Sequence, residues 1–217
     1  MELFGHPFSS YTWKAQIAFH EKGVDYDFRM LGPEHEDNGR RLNQLWPVGK
    51  FPLVVDEGRV LFESSIIIEY LDHRYPDSPK MIPADFEAAL DVRTFDRIFD
   101  NHVMGKMQEA VGDSLRPENE RVPSILANAK IALETVYGWL DTQIKDRDWA
   151  TASGFSMADC AAAPSLFYAD WAHQISDDYP NLKAYRARLL ARPSVKQCVE
   201  AARPYRSYFP LGAPDRD

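Results

Sequence analysis

Two serines near the N terminus stand where a predicted strand gives way to a predicted helix. Residues 1–5 are mostly apolar and are followed by Pro7, and a helical pattern then runs to Gly23, a residue typical of the position after a helix. Free N–H groups and the positive end of the helix dipole collect at a helix start, so Ser9 and Ser10 lie where an anion is favoured. A hydroxyl there can donate to that anion, and capping of the helix is the alternative role.

Three further features before residue 65 offer peptide-binding chemistry. Phe51-Pro52 begins a predicted strand where proline cannot donate to a sheet, so the bond between them is a candidate cis peptide that would turn the Phe51 backbone outward. Glu63-Ser64 opens a predicted helix, where a carboxylate can hold an amine and a hydroxyl with an N–H can hold a carboxylate. Lys50 supplies a cation for a second carboxylate. Together with the turn that carries Ser9 and Ser10, here called the serine turn, these features describe a slot for a small peptide that carries a reactive atom.

The order of predicted elements gives these residues their positions. Strand, helix, strand, helix, hairpin and helix follow one another up to residue 75, which predicts an α/β unit with one sheet and helices on both faces. The second strand is predicted over 24–28 and the hairpin turn over 56–58. Proline-rich composition near 75–83 indicates a linker, and everything beyond it is predicted to be helical. We therefore expect two domains, residues 1–76 and 84–217.

The predicted helical half contains a long periodic stretch and a capping motif. Apolar residues recur at helical spacing over 86–111. Ser156 and Asp159 are spaced as in a capping box, which predicts a structural cap at the start of a core helix. His102 and Lys106 lie one turn apart on the first long helix. They are candidates to line a pocket for a substrate, and an exposed polar face is the alternative.

Composition and charge exclude several classes of protein. The chain has 217 residues, 45% of them hydrophobic, and a net charge of −8, so a nonspecific nucleic-acid surface is not expected. No apolar run reaches the roughly 18–20 residues that span a bilayer, and no signal pattern is found, so we expect a cytoplasmic protein that does not bind membranes. Cys160 and Cys198 have neither CxxC nor metal-ligand spacing, so no metal is expected.

The sequence resembles the cytosolic glutathione transferase family over nearly the whole chain. Four segments carry the resemblance, in order along the chain: 9–18, 47–52, 62–67 and 155–159. The first is most similar to the zeta class, and its serine also occurs in phi- and theta-like enzymes. The resemblance implies a thioredoxin-like N-terminal domain followed by an all-helical C-terminal domain, in a homodimer that uses glutathione as co-substrate.

The resemblance also implies roles for the residues of the slot. Ser9 would meet the glutathione thiol, while Ser10 would cap the helix or replace Ser9 as the donor. Phe8 and Tyr11, which flank the serines, are expected to touch a second substrate. The other glutathione contacts would be Lys50 for the glycine carboxylate, Phe51 beside Pro52 for the cysteinyl backbone, and Glu63 and Ser64 for the γ-glutamyl end.

Activation of the thiol is the chemistry that such a turn can supply. A free thiol has a pKa near ~8.5, so only a few per cent is thiolate at neutral pH. A hydroxyl donor and a helix N-terminus both favour the charged form. A shift of about two units, worth roughly 2.7 kcal/mol, makes the thiolate the majority species. The thiolate would then attack a hydrophobic electrophile in a neighbouring pocket.

Two other functions remain open. A glutathione-dependent cis–trans isomerase of the maleylacetoacetate or maleylpyruvate type would need cations near its substrate, and only Lys14, Arg93 and Lys106 offer themselves. Tyr11 stands where zeta-class isomerases usually carry cysteine, which weakens this alternative. A non-catalytic module that binds ligands or proteins is the second alternative, and an intact glutathione slot argues against it.

Overall fold

The sheet of the N-terminal domain has four strands, and three helices flank it. The computed structural model describes all residues 1–217. Its first elements are β1 (Glu2–Gly5), α1 (Ser10–Lys22), β2 (Asp27–Met30), α2 (Glu36–Leu45), β3 (Leu53–Asp56), β4 (Arg59–Phe62) and α3 (Ser64–Arg74). The strand order is β2-β1-β3-β4, with β1 parallel to β2 and antiparallel to β3, and β3 antiparallel to β4. The predicted thioredoxin-like fold is confirmed.

The second strand begins later than the sequence pattern predicts. It was expected over 24–28, but pairing with β1 starts at Asp27. Val24 and Tyr26 are packed against the core from the preceding loop, and the Tyr26 hydroxyl accepts a hydrogen bond from the Gln16 side chain at 3.0 Å. Their alternation with polar residues therefore reflects burial of side chains and not sheet pairing, which explains the error.

The hairpin between β3 and β4 agrees with the prediction. Its two central residues, Glu57 and Gly58, have positive φ angles of 48° and 85°. Two consecutive left-handed residues are typical of the tight turn whose twist matches that of antiparallel strands. The hairpin brings the end of β4 back beside the start of β3, next to Phe51 and Glu63.

The remainder of the chain is helical. Its helices are α4 (Phe86–Ile98), α5 (Gly105–Ser114), α6 (Pro123–Gln143), α7 (Met157–Ala172), α8 (Pro180–Ala191) and α9 (Pro193–Ala202). A π-helical turn at Phe99–Met104 joins α4 to α5, so the predicted long helix over 86–111 contains a local change of period. None of the helices is long and apolar enough to cross a bilayer.

Helix α7 lies at the centre of the molecule. Every residue from Met157 to Trp171 is buried. The predicted capping box is present at its start, where the Ser156 N–H donates to the Asp159 carboxylate at 2.9 Å. The hydroxyl of Tyr185 on α8 donates to the same carboxylate at 2.7 Å. Ser156 and Asp159 therefore anchor the core helix, as predicted.

The segment before α1 is held in place by this core. The Tyr168 hydroxyl on α7 donates to the Phe8 carbonyl at 3.0 Å, and the Trp13 indole N–H donates to the Pro7 carbonyl. Trp13 is completely buried, and its ring lies 5.0 Å from that of Phe167. The conformation of the serine turn therefore depends on packing between the two domains.

Candidate functional site

Ser9 is the residue that caps α1. Its backbone is extended, with φ −89° and ψ 122°, and its Oγ accepts the Thr12 N–H at 3.3 Å. Ser10, which the sequence favoured as the cap, is already the first residue of the helix and is buried. Because the Ser9 oxygen accepts in the cap, its hydroxyl hydrogen remains free to donate. Capping and donation are therefore compatible in one residue.

Gly5 at the end of β1 allows the helix start to approach the strand. A Cβ at Gly5 would lie 2.6 Å from Cγ2 of Thr12, which is too close for any side chain there. The Thr12 hydroxyl in turn accepts the N–H of His6 at 3.4 Å. This close crossing fixes the position of Ser9 relative to the sheet.

A polar cavity of about 520 Å³ opens beside Ser9. It brings together all of the predicted slot residues except Ser10. The residues that line it are Ser9, Tyr11, Trp46, Lys50, Phe51, Pro52, Phe62, Glu63, Ser64, Arg97, Asp100, Asn101 and Gln108. The sequence missed Trp46 and Phe62, whose rings lie 4.4 Å apart, and the residues from 97 onward.

Two residues that line this cavity, Phe51 and Ser64, have unpaired backbone groups. The Phe51-Pro52 peptide bond is cis, as predicted, and neither the N–H nor the C=O of Phe51 makes a backbone hydrogen bond. At the start of α3 the first N–H bonded in helical fashion is that of Ile67, which donates to the Glu63 carbonyl at 2.9 Å. The N–H groups of the preceding turn, beginning with Ser64, therefore have no helical partner and can bind an anion.

Glu63 has a backbone conformation that is rare for a residue with a side chain. Its φ and ψ angles are 63° and 121°. Such a conformation costs of order 1–3 kcal/mol and is found most often at functional sites. The residue is exposed and lines the polar cavity, as expected for a carboxylate that meets a ligand.

A second, mostly apolar cavity of about 380 Å³ adjoins the first. Phe8 and Tyr11, which are expected to touch a second substrate, lie in its wall. The lining residues are His6, Phe8, Ser9, Ser10, Tyr11, Phe51, Met107, Gln108, Val111, Leu115, Tyr168, Tyr208, Phe209 and Pro210. Ser9, Tyr11, Phe51 and Gln108 line both cavities, so the two spaces meet at the serine turn.

His102 and Lys106 line neither cavity. His102 is exposed, and Lys106 forms an ion pair with Glu109 at 2.7 Å. The π-helical turn inserts residues into the helical period, so a projection of the whole stretch as one α-helix assigns the wrong face. The face that reaches the cavities carries Asn101 and Gln108 instead.

Burial tunes the ionisable groups around the cavities. It raises the pKa of Tyr11 to about 12, helped by the negative charge of Asp100, so this phenol stays neutral and can donate a hydrogen bond. Burial also lowers the pKa of His6, which favours the neutral imidazole. The thiols of Cys160 and Cys198 are buried elsewhere, and burial raises the pKa of both, so neither supplies a protein nucleophile.

Comparison with known proteins identifies the family. Residues 3–79 match the family model for the glutathione S-transferase N-terminal domain, and residues 123–188 match that for the C-terminal domain. A stringent starvation protein A homolog from Coxiella burnetii is 31% identical over 171 residues, which cover 77% of this chain and 75% of the relative. The chain belongs to the glutathione S-transferase family.

Other members of the family resemble the chain in whole or in part. A glutathione S-transferase from Methylobacillus flagellatus, solved with glutathione bound, has a TM-score of 0.80 and 29% identity over 91% of this chain and 98% of its own. A probable maleylacetoacetate isomerase from Caenorhabditis elegans is 36% identical over 83 residues, which cover 38% of each chain.

Proposed function

We propose that this family member is a glutathione transferase that activates the glutathione thiol for attack on a hydrophobic electrophile. The observation that carries the proposal is the position of Ser9. It lies where the polar and apolar cavities meet, at the N-terminus of α1, with its hydroxyl hydrogen free. A sulfur atom at that point would face the electrophile and one hydrogen-bond donor at the same time.

The polar cavity supports binding of glutathione in one orientation. The γ-glutamyl amine would meet the Glu63 carboxylate, and its carboxylate would meet Ser64 and the free N–H groups of α3. The cysteinyl backbone would pair with Phe51, and Lys50 would bind the glycine carboxylate. This orientation directs the cysteinyl side chain toward Ser9.

The reaction would proceed by displacement or addition at an electrophilic carbon. Ser9 donates its hydroxyl hydrogen to sulfur, and with the dipole of α1 it lowers the thiol pKa, so the thiol proton passes to solvent. A sulfur electron pair forms the C–S bond, and a leaving group departs with the electron pair of the bond that breaks. The neutral Tyr11 phenol lines both cavities and would donate to charge that develops on the electrophile.

The Ser9→Ala variant tests the proposal. Its turnover of an aryl halide at neutral pH should fall by about 10- to 100-fold with little change in the Kd of glutathione, because loss of a pKa shift of about two units leaves only a few per cent of the bound thiol as thiolate. Thiolate absorbance of bound glutathione should shift to higher pH by up to about two units. Ser10→Ala is the matched control and should leave both measurements unchanged. Normal thiolate formation in Ser9→Ala would contradict the proposal.

Isomerisation of a maleyl compound is the second candidate, supported by the similarity to the probable maleylacetoacetate isomerase. None of the three cations named for it lines the apolar cavity. Lys14 is buried between two aspartates, Arg93 pairs with Glu69 at 3.0 Å, and Lys106 pairs with Glu109. Transfer is therefore the better-supported activity. Turnover of maleylacetoacetate faster than that of aryl halides would reverse this order.

A role in binding without catalysis is the remaining alternative, since the chain also resembles proteins named stringent starvation protein A homolog. The free hydroxyl of Ser9 beside both cavities favours catalysis. Tight binding of glutathione without thiolate at neutral pH would favour the non-catalytic role.

We further propose that the protein forms a homodimer through α3 and α4. Ile66, Phe86 and Leu90 are large apolar residues with 50%, 71% and 47% of their surface exposed. The ion pair between Arg93 and Glu69 joins the two helices on the same side, one turn from Leu90 and Ile66. Light scattering should give twice the chain mass, and Phe86→Asp should give a monomer. A monomeric unsubstituted protein would contradict the proposal.

A further inference from the structure

The backbone of His6 forms part of the serine turn. Its carbonyl accepts the Ser9 N–H at 2.9 Å, and its own N–H donates to the Thr12 hydroxyl at 3.4 Å. The first bond stabilises the turn, and the second joins the turn to the first residues of α1. The position of His6 relative to Ser9 is therefore fixed by hydrogen bonds on both sides of the peptide unit.

The imidazole of His6 is bound to the same turn through one of its two nitrogens. The Phe8 N–H donates to Nδ1 at 3.0 Å, so Nδ1 must carry a lone pair and no proton. Burial lowers the pKa of His6, which favours the neutral ring. A neutral imidazole has a single N–H, so its proton is on Nε2. The turn thus determines the tautomer of the ring as well as its position.

The Nε2–H group of His6 has no partner in the protein. The only hydrogen bond of the ring is the one that Nδ1 accepts. The side-chain polar atoms that are both fully buried and unpaired belong to other residues, so Nε2 is accessible. His6 lines the apolar cavity and not the polar one. A ligand in the apolar cavity can therefore accept a hydrogen bond from this N–H.

Two tyrosine rings pack against the imidazole. The ring of Tyr205 meets it edge-on, with centroids 4.7 Å apart, and the ring of Tyr208 lies at 6.2 Å and an angle of 27°. Both tyrosines belong to a short 3₁₀ helix, Arg203–Tyr208. The ring is thus held by segments that are far apart in the sequence. A donor whose orientation is fixed before the ligand arrives loses little entropy on binding.

The lining of the apolar cavity indicates which chemical group this donor would meet. No Asp, Glu, Lys or Arg lines the cavity. A charged electrophile would lose its hydration there without gaining an ion-pair partner, so the cavity favours a neutral molecule. The natural partner of a neutral N–H in such a molecule is an uncharged oxygen acceptor, such as a carbonyl.

His6 and Tyr11 would meet different parts of the electrophile. Tyr11 lines both cavities, whose junction is at Ser9, whereas His6 lines only the apolar one. The Tyr11 phenol is therefore suited to charge that develops at the reacting carbon. The His6 ring is suited to a polar atom on the body of the molecule, away from the sulfur.

We propose that His6 is a specificity-determining residue whose Nε2–H binds an oxygen acceptor on the body of the electrophile, so that the protein prefers neutral carbonyl-bearing electrophiles to hydrocarbon ones. This inference rests on the proposed function, because it assumes that the electrophile occupies the apolar cavity. The contact also orients the electrophile relative to Ser9, because the same residue is hydrogen-bonded into the serine turn.

The test compares para-acetylbenzyl chloride with para-isopropylbenzyl chloride. The two have the same reacting carbon and nearly the same shape, and only the first carries an oxygen acceptor. In both reactions the glutathione sulfur forms the C–S bond, and chloride departs with the electron pair of the C–Cl bond. The measured quantity is the ratio of kcat/KM for the acetyl compound to kcat/KM for the isopropyl compound, which cancels changes that affect both substrates.

His6→Asn separates the donor from the acceptor of the ring. An asparagine oxygen can accept the N–H two residues further on, as Nδ1 does here, but its amide does not extend to the position of Nε2. The substitution should lower the ratio by about 5- to 10-fold, the worth of one hydrogen bond. His6→Phe, which keeps an aromatic ring and removes both nitrogens, should lower the ratio to the same extent.

His102→Asn is the matched control, because it makes the same substitution at an exposed histidine outside both cavities, and it should leave the ratio unchanged. An equal loss of kcat/KM for both chlorides in the His6 variants would mean that His6 only supports the turn. That result would overturn the inference, as would unchanged kinetics with both substrates. Failure of the unsubstituted protein to turn over either chloride would instead overturn the proposed function.

Discussion

The two cavities that meet at Ser9 are built in different ways. The polar cavity depends on the ends of backbone elements, such as the start of α3 and the unpaired Phe51 peptide, and on charges fixed behind them. The apolar cavity is formed by side chains from distant segments, including Tyr168 of α7 and Tyr208 near the C terminus. The proposed recognition of charge therefore depends on backbone ends and fixed charges, whereas the apolar wall could change without altering the proposed glutathione contacts. Substitutions at the polar cavity and at the apolar cavity should therefore affect different measurements.

The largest effect is expected from the cation behind the polar cavity. Lys14→Met leaves two buried aspartates with only Arg97 for compensation, so the free energy of unfolding should fall by about 3–5 kcal/mol. Denaturant unfolding measures this change. The comparison is Lys50→Met on the exposed wall, which should leave stability unchanged and weaken glutathione binding. Similar stability of both variants would show that the buried ion pairs of Lys14 contribute little to stability.

A smaller and different effect is expected in the apolar cavity. Tyr208 is 61% exposed and lines this cavity, with its ring 6.2 Å from that of His6. Tyr208→Ala should lower kcat/KM for an aromatic electrophile by about 5- to 10-fold, because apolar contact area is lost. The KM for glutathione should not change. Ile131→Ala, an exposed apolar position outside both cavities, is the control. A change in the KM for glutathione would argue against separate cavities.

The smallest effect should come from Tyr11, which lines both cavities. Because burial raises the pKa of Tyr11 to about 12, the phenol does not titrate between pH 6 and 10, so we expect any rise of rate with pH in that range to come from the glutathione thiol. Tyr11→Phe should therefore lower turnover by about 3- to 10-fold, the worth of one hydrogen bond, without moving the midpoint of the pH–rate profile. A shifted midpoint would indicate that Tyr11 takes part in activating the thiol.

The polar cavity was easier to predict than the apolar one, because the sequence patterns that indicate it involve only neighbouring residues. A proline at a strand start indicates the cis bond at Phe51-Pro52, and an acidic residue before Ser64 indicates a helix start. Each of these depends on a few neighbouring residues. The cap of α1 was misassigned by one position, since both serines satisfy the same local pattern and only the backbone of Ser9 is extended.

The sequence by itself predicted an α/β unit followed by helices, and the residues at the ends of these elements, because strand, turn and cap preferences act over a few residues; its resemblance to the family implied the glutathione S-transferase fold. Only the tertiary structure decided that Arg97, Asn101 and Gln108 face the cavities while His102 does not, because a π-helical turn and the packing of α4 against α7 fix that face. The apolar wall likewise needed contacts between residues far apart in sequence. The capping role of Ser9 depends on neighbouring residues, whereas its position between the two cavities depends on residues that are far apart in the sequence.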